Sequence, residues 1–310
     1  MKKILFLSGH LFESKRQANF HHIANACADN GNEVTFCTVP NSINTIITQK
    51  HNIKNRIKSY FYALYPKKIG KINVTSYISF AYPLNKSSGL NDLLLWFFNH
   101  GYSAILKEKY DVVVIENGIP LLLFEKLKQL NPNAKFTYRV SDPVKKDIGW
   151  SGFLKLEDRI ISHFDIISTP AFLITKRLLE QYPSINIQTH YHGIDKNYFL
   201  QDFENPFKKY HNTNKHFVFV GASKLDELFL NIASNISEEY IFHIIGPFEK
   251  NIQKKNVIYY GEMKYEETIR YIKYADVCLQ TLVRFPYCEL YEKTLKYTQY
   301  SFFKKPILAP

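Results

Sequence analysis

The chain has 310 residues, 45% hydrophobic and 15% aromatic, which is enough apolar material for two cores of ordinary size and too much for a disordered chain. Its four cysteines, at 27, 37, 278 and 288, show neither CxxC spacing nor finger-like histidine partners, which argues against a disulfide framework and a structural zinc site. The net charge of +12 is unevenly placed: no Asp or Glu occurs from Val34 through Asn91, so one face of the N-terminal half is expected to be basic.

The opening MKKILFLSG starts like a signal peptide, but its apolar run is short and no small-residue cleavage site follows, so it reads as a first strand. The strand turns across Gly9 into an expected helix on which Glu13, Arg16, Asn19 and His22 recur at helical spacing. Strand-like runs at 2–8, 33–38, 72–79, 112–115, 135–140, 166–169 and 187–191 alternate with stretches of helical length, the pattern of a parallel sheet wound with helices. Within this half IKNRIKSYFYALYPKK, from Ile53 to Lys68, interleaves Lys54, Arg56, Lys58, Lys67 and Lys68 with apolar and aromatic residues. Such a segment fits the headgroup layer of an anionic membrane or an ordinary solvated helix. No nucleic-acid-binding motif accompanies it, so nucleic acid is not expected as a partner. The most apolar region, GLNDLLLWFFNHGYSAIL, is interrupted by Asp92, Asn99, His100 and Gly101 and is too polar to span a membrane.

A polar stretch without clear period, residues 205–214, follows as a linker, which sets the expected domains at 1–204 and 215–310. A second series of strands then runs through HFVFVGA, YIFHIIG, NVIYYG, DVCLQTL and KPILA, with helices at 225–236, 265–274 and 289–303. The expected class is α/β, two Rossmann-like domains with a cleft between them, ligands binding at the carboxyl ends of the strands. The G-x-G-x-x-G fingerprint is absent after the first strand, and Gly9 alone is weak evidence for phosphate binding.

KYTQYSFFKKPIL (residues 296–308) reads K-x-x-Q-Y-x-x-x-x-K-P and resembles the K-x-x-E-Y-x-x-x-G-K-P stretch of GT-B nucleotide-sugar glycosyltransferases. HGIDKNYF, FVFVGA and VIYYGEMKYEETIRYIKYADVCL resemble further pieces of that fold in the same order. Within the fold, SGHLFESKRQANFHH and YRVSD look most like the membrane-associated glucuronosyltransferases of xanthan-type exopolysaccharide assembly. The resemblance implies Asp142 as catalytic base and a donor site made of Gly221, Ser223, Glu262, Thr294, Leu295, Lys296 and Gln299. It departs from the retaining families at Gln299, where they carry Glu, and at Tyr291, where their E-x7-E motif begins, so inversion is expected. The chain ends at KKPILAP, where such proteins continue with a strand and a helix that crosses back to the first domain, so the expectation is a donor domain that is incomplete here, either because that closure is lost or because the sequence is truncated.

Inverting transfer needs a carboxylate for the acceptor's proton and positive charge for the departing diphosphate. Asp142 ends the strand KFTYRV in a Ser-Asp-Pro sequence that also suits an ordinary turn, and Lys296 is placed some way into the helix expected from residue 289. No Asp-x-Asp occurs, so neither metal nor cofactor is expected beyond the nucleotide sugar itself, a UDP-sugar by resemblance. His10, Glu13, Arg16, Asn19 and His22 are the candidates for a lipid-linked saccharide acceptor, or else a solvated helix face. The expected function is an inverting, metal-independent glycosyltransferase of bacterial surface polysaccharide synthesis, cytoplasmic and peripheral to the inner face of the membrane. A GT-B-type nucleotide-sugar epimerase and a non-catalytic nucleotide-binding or scaffold protein are the alternatives.

Overall fold

The computed structural model describes residues 1–15, 17–42, 53–83, 90–142, 151–283, 288–290 and 293–309. The first unit, Met1–Ser14 with Phe20–Tyr191, contains β1 (Lys3–Ser8), α1 (Asn19–Asp29), β2 (Glu33–Ser42), α2 (Ile53–Tyr62), β3 (Lys67–Ile69), β4 (Ile72–Ser79), α3 (Leu90–Asn99), β5 (Val112–Glu116), α4 (Phe124–Leu130), β6 (Lys135–Arg139), α5 (Ser151–Ile160), β7 (Ile166–Thr169), α6 (Phe172–Gln181) and β8 (Ile187–Thr189). Its eight strands lie in the order β3-β4-β2-β1-β5-β6-β7-β8, all pairs parallel except β3 with β4. From Ile4 to Ser8 every residue of β1 is buried, as expected of a central strand covered on both faces, and Ile4 and Phe6 pack with Phe20 of α1 and Phe36 of β2.

The second unit, Lys15–Asn19 with His192–Pro310, contains α7 (Lys196–Phe199), β9 (Lys215–Val220), α8 (Glu227–Ala233), β10 (Tyr240–Ile245), β11 (Val257–Gly261), α9 (Tyr265–Tyr274), β12 (Val277–Leu279), α10 (Leu295–Phe302) and β13 (Ile307–Leu308). These strands form a parallel sheet ordered β11-β10-β9-β12-β13. β9 divides its side chains by the two-residue period. Phe217 and Phe219 face one core with Phe242 and Leu230, while Val218 and Val220 face another with Ile272 and Tyr300.

Four expectations are corrected. The last helix starts at Leu295, because Thr294 accepts the Tyr297 N–H at 3.3 Å as its N-cap, and residues 288–290 form a separate 3-10 turn. The first helix starts at Asn19, so Glu13 precedes it and the common face proposed for Glu13, Asn19 and His22 does not exist; Arg16 lies outside the described residues. The division falls at His192, and the stretch 205–214 belongs to the second core, where the Phe207 ring stacks 4.2 Å from that of His216. The basic segment is divided too: α2 ends at Tyr62, and Lys67 and Lys68 lie in β3.

Candidate functional site

In the first unit the polar residues that end adjacent parallel strands meet at one sheet edge. Glu116, last in β5, is 7% exposed. Its Oε2 accepts the Ser8 hydroxyl at 2.5 Å and the Gly9 N–H at 3.3 Å, and Oε1 lies 3.7 Å from His10 Nε2. Burial pushes the Glu116 carboxyl up to about 7 against the hydrogen bonds from Ser8 and Gly9, the Asp142 charge adds to the rise, and Arg139 opposes it. Arg139 stands opposite Glu116 in the β5–β6 register, 2% exposed, and donates from Nη1 to Ser168 Oγ at 2.7 Å and to the His190 carbonyl at 3.0 Å.

Asp142 follows β6 as an exposed residue. Its backbone is held by Asn117, whose Oδ1 accepts the N–H groups of Ser141 at 3.0 Å and Asp142 at 3.4 Å, and whose amide donates to the Asp142 carbonyl. Thus the side chain of the catalytic candidate is open to a ligand while its main chain is fixed.

The other acceptor candidates are placed differently. Glu13 takes the Tyr62 hydroxyl at 2.6 Å and Lys58 at 3.0 Å, with Lys67 at 3.6 Å. Partial burial acts to raise its carboxyl, but these partners together outweigh it and hold the group below the usual range. Its charge is used to bind α2. Asn19 and His22 are buried in α1, each 7% exposed. Of the residues at this edge, the sequence reading found His10 and Asp142 and missed Glu116, Asn117 and Arg139. The signal for them was an acid, an amide and a guanidinium closing the apolar runs VVVIEN and FTYR.

In the second unit a cleft of about 410 Å³ opens beside the carboxyl ends of β9, β10 and β11, lined by Gly221, Gly246, Glu262 and Thr268 among others. Gly246 has φ +148°, and a Cβ there would lie 1.8 Å from the Gly221 carbonyl oxygen, so the close approach of the two turns requires glycine. A Cβ on Gly221 would in turn lie 3.2 Å from Lys296 Nζ. Lys296 is the second residue of α10, and burial lowers its ammonium group to about 8. A cation held beside the positive end of a helix is a poor arrangement by itself and a good one for an anion.

The donor candidates therefore fall into groups. Gly221 and Lys296 are adjacent, Thr294 caps the helix that carries Lys296, and Leu295 begins it. Glu262 is an exposed residue on the cleft wall, and Ser223 is exposed in the turn after β9. Gln299 is buried and interacts with the Tyr265 hydroxyl.

Residues 6–170 match the family model described as glucuronosyltransferase GumK, N-terminal domain. The chain belongs to the GumK glucuronosyltransferase family. A curated relative, the UDP-glucuronate:glycolipid 2-beta-glucuronosyltransferase of Xanthomonas campestris pv. campestris, is 27% identical over 333 residues, covering 99% of this chain and 76% of the relative. Among solved structures, sucrose-phosphate synthase from Thermosynechococcus elongatus matches with a TM-score of 0.68 at 12% identity, over 100% of this chain and 81% of that one. S. aureus TarM, solved in complex with UDP among other ligands, matches with a TM-score of 0.60 at 10% identity, over 100% and 85% respectively. These likenesses show the fold, which is GT-B, in agreement with the class expected from the motifs.

Proposed function

We infer that this GumK-family chain is a glycosyltransferase that moves a sugar from a UDP-sugar to a glycolipid, with UDP-glucuronate as donor. The observation that carries the reading is Lys296 in the first turn of α10, beside Gly221 at the edge of the cleft. The named donor and acceptor of the Xanthomonas relative support the substrate classes. Nothing in the family assignment favours an epimerase or a scaffold.

Transfer then proceeds with inversion. The acceptor oxygen forms a bond to the anomeric carbon as the bond from that carbon to the diphosphate breaks, UDP leaving with the electron pair. Asp142 takes the acceptor's proton, and Lys296 with the N–H groups opening α10 stabilises the charge gathering on the diphosphate without a metal. The saccharide binds at the His10 side of the first sheet's edge.

The acceptor's lipid is met at an anionic membrane surface through α2 and β3. Ile53, Ile57 and Phe61 form an exposed stripe on α2, continued by Leu64 and Tyr65, and Lys54, Lys58, Lys67 and Lys68 are exposed around it. Arg56 does not join this patch: it is buried, donating to the Pro40 carbonyl at 3.3 Å. No helix among the described residues is long and apolar enough to cross a membrane.

The decisive experiment is transfer from UDP-glucuronate to a glycolipid, with and without EDTA, by the unaltered chain and by Asp142→Asn. We expect EDTA to change nothing and Asp142→Asn to lose about 10²–10⁴-fold in kcat at unchanged UDP affinity. Near-normal turnover by that variant removes Asp142 from the mechanism, and a metal requirement overturns the metal-free reading.

A further inference from the structure

Two consecutive residues, Glu116 and Asn117, hold the two turns that carry His10 and Asp142. Glu116 grips the first by accepting from Ser8 Oγ and the Gly9 N–H, while Ser8 Oγ itself accepts the His10 N–H at 3.1 Å. Asn117 grips the second through its three bonds to the backbone of Ser141 and Asp142, and its own N–H is anchored on the Arg139 carbonyl at 3.0 Å. Strand pairing fixes both grips. Ser8 ends β1, Glu116 ends β5, and Arg139 ends β6, in parallel register.

We propose that Glu116 and Asn117 are the positioning residues of the transfer reaction, Asn117 fixing the backbone of the base and Glu116 fixing the His10 turn and the charge beside Asp142. The proposal rests on the reading of Asp142 as base. Neither residue need touch substrate: Glu116 is buried, and the Asn117 side chain is occupied by the main chain it holds.

The charge has a direction of effect. Ionised Glu116 and ionised Asp142 repel, and when Asp142 takes the acceptor's proton that repulsion ends, so a charged Glu116 favours the proton transfer. The other groups facing Glu116 are Arg139, which favours its carboxylate, and His10, at 3.7 Å, which does so only in its protonated form. With the carboxyl at about 7, its charge is present at mildly alkaline pH and is lost below neutrality.

The test is the pH profile of kcat, from pH 5 to 9, for the full chain and for Glu116→Gln, Asn117→Ala, His10→Gln and Asp142→Asn, with UDP-sugar and glycolipid as substrates. Gln at 116 keeps an oxygen for Ser8 and Gly9 but cannot ionise. Glu116→Gln is expected to lose the inflection near pH 7 and about tenfold in kcat at alkaline pH, while KM for the UDP-sugar stays unchanged. Asn117→Ala is expected to lower kcat at every pH, again at constant KM for the donor, and to keep the inflection. Circular dichroism and thermal unfolding of each variant identify any that fails to fold, and because the two substitutions alter different contacts, either one alone tests its half of the proposal.

A wild-type profile and kcat in Glu116→Gln overturns the role of Glu116, and wild-type kcat in Asn117→Ala overturns that of Asn117. An inflection that survives in Glu116→Gln and vanishes in His10→Gln assigns the titration to His10 and likewise removes Glu116. Full activity of Asp142→Asn overturns the base assignment itself, whereas an inactive Asp142→Asn beside unchanged Glu116 and Asn117 variants overturns only the present inference.

Discussion

The amino group of Lys296, two residues past the Thr294 cap of α10, lies 4.2 Å from the centroid of the Phe219 ring. The ring face attracts the cation, and burial opposes its charge, lowering it to about 8. The charged form therefore predominates below that pH and is the form that binds a diphosphate. UDP affinity, measured by calorimetric titration, should be constant below about pH 7 and fall as pH rises through 8. Lys296→Ala should weaken UDP binding about 10–100-fold near neutrality, the value of a charge-assisted contact, and should lack the alkaline fall. An unchanged pH dependence in that variant would assign it to another group.

Among the described glycines, Gly246 is the one least tolerant of a side chain. Alanine there combines a backbone conformation that L side chains rarely adopt with a Cβ only 1.8 Å from the Gly221 carbonyl oxygen. Gly246→Ala should cost at least about 2 kcal/mol in denaturant unfolding and lose UDP binding as the two turns separate. Gly31, at φ +80° with open space for 4 Å around the place a Cβ would take, is the control. Alanine at that position should leave UDP binding intact.

The second unit carries a buried histidine pair, His216 and His243. His243 Nε2 meets His216 Nδ1 at 3.0 Å, and His243 Nδ1 meets the Tyr260 hydroxyl at 2.9 Å. Burial, with repulsion from His216 and Lys209, lowers His243 to about 3, well below its ordinary value near 6.5. The unfolded chain therefore binds more protons between these values. The stabilisation is complete above about 6.5 and is lost as pH falls toward 3, by up to about 1.4 kcal/mol per pH unit. Amide exchange in β9 and β10 should show this slope between pH 7 and 4, and His243→Gln should flatten it. A slope that persists would place the acid sensitivity elsewhere.

Membrane docking and transfer should separate by mutation. Replacing Lys54, Lys58, Lys67 and Lys68 by Gln should reduce sedimentation with anionic vesicles at low salt, each cation contributing about 1 kcal/mol near such a surface, and raised ionic strength should do the same to the unaltered chain. Ile57→Ser with Phe61→Ser should lower the binding that survives high salt, because those side chains are 47% and 59% exposed on the apolar stripe. Vesicle binding indifferent to both sets would return α2 to a solvated covering helix.

Much of the architecture was legible because a strand buried on both faces must be apolar along its whole length. KILFLS, VVVIE and YIFHII announce themselves as strands in this way, and the α/β class follows from their alternation with helices. Helix limits were less legible. Periodicity continues through residues 13–22 and 289–303, but α1 begins only at Asn19, and capping by Thr294 decides where α10 begins. The same N-cap moved Lys296 from the middle of a helix to its first turn, which is what makes it an anion-binding residue.

By itself, the order of residues determined most of the strands, with β3 the exception, the two-unit composition and the individual candidates His10, Asp142, Gly221 and Lys296. The tertiary structure alone decided their company. Ser8 and Glu116 are 108 positions apart, and they meet because β1 lies between β2 and β5, an order set by the packing of helices against both sheet faces and written in no local stretch of the chain. Burial at that junction then moves the Glu116 carboxyl toward neutrality, and Glu13, outwardly the equal of Glu116 in sequence, is drawn to Lys58 and Lys67 instead, because the charge of a carboxylate is governed by what folding brings next to it.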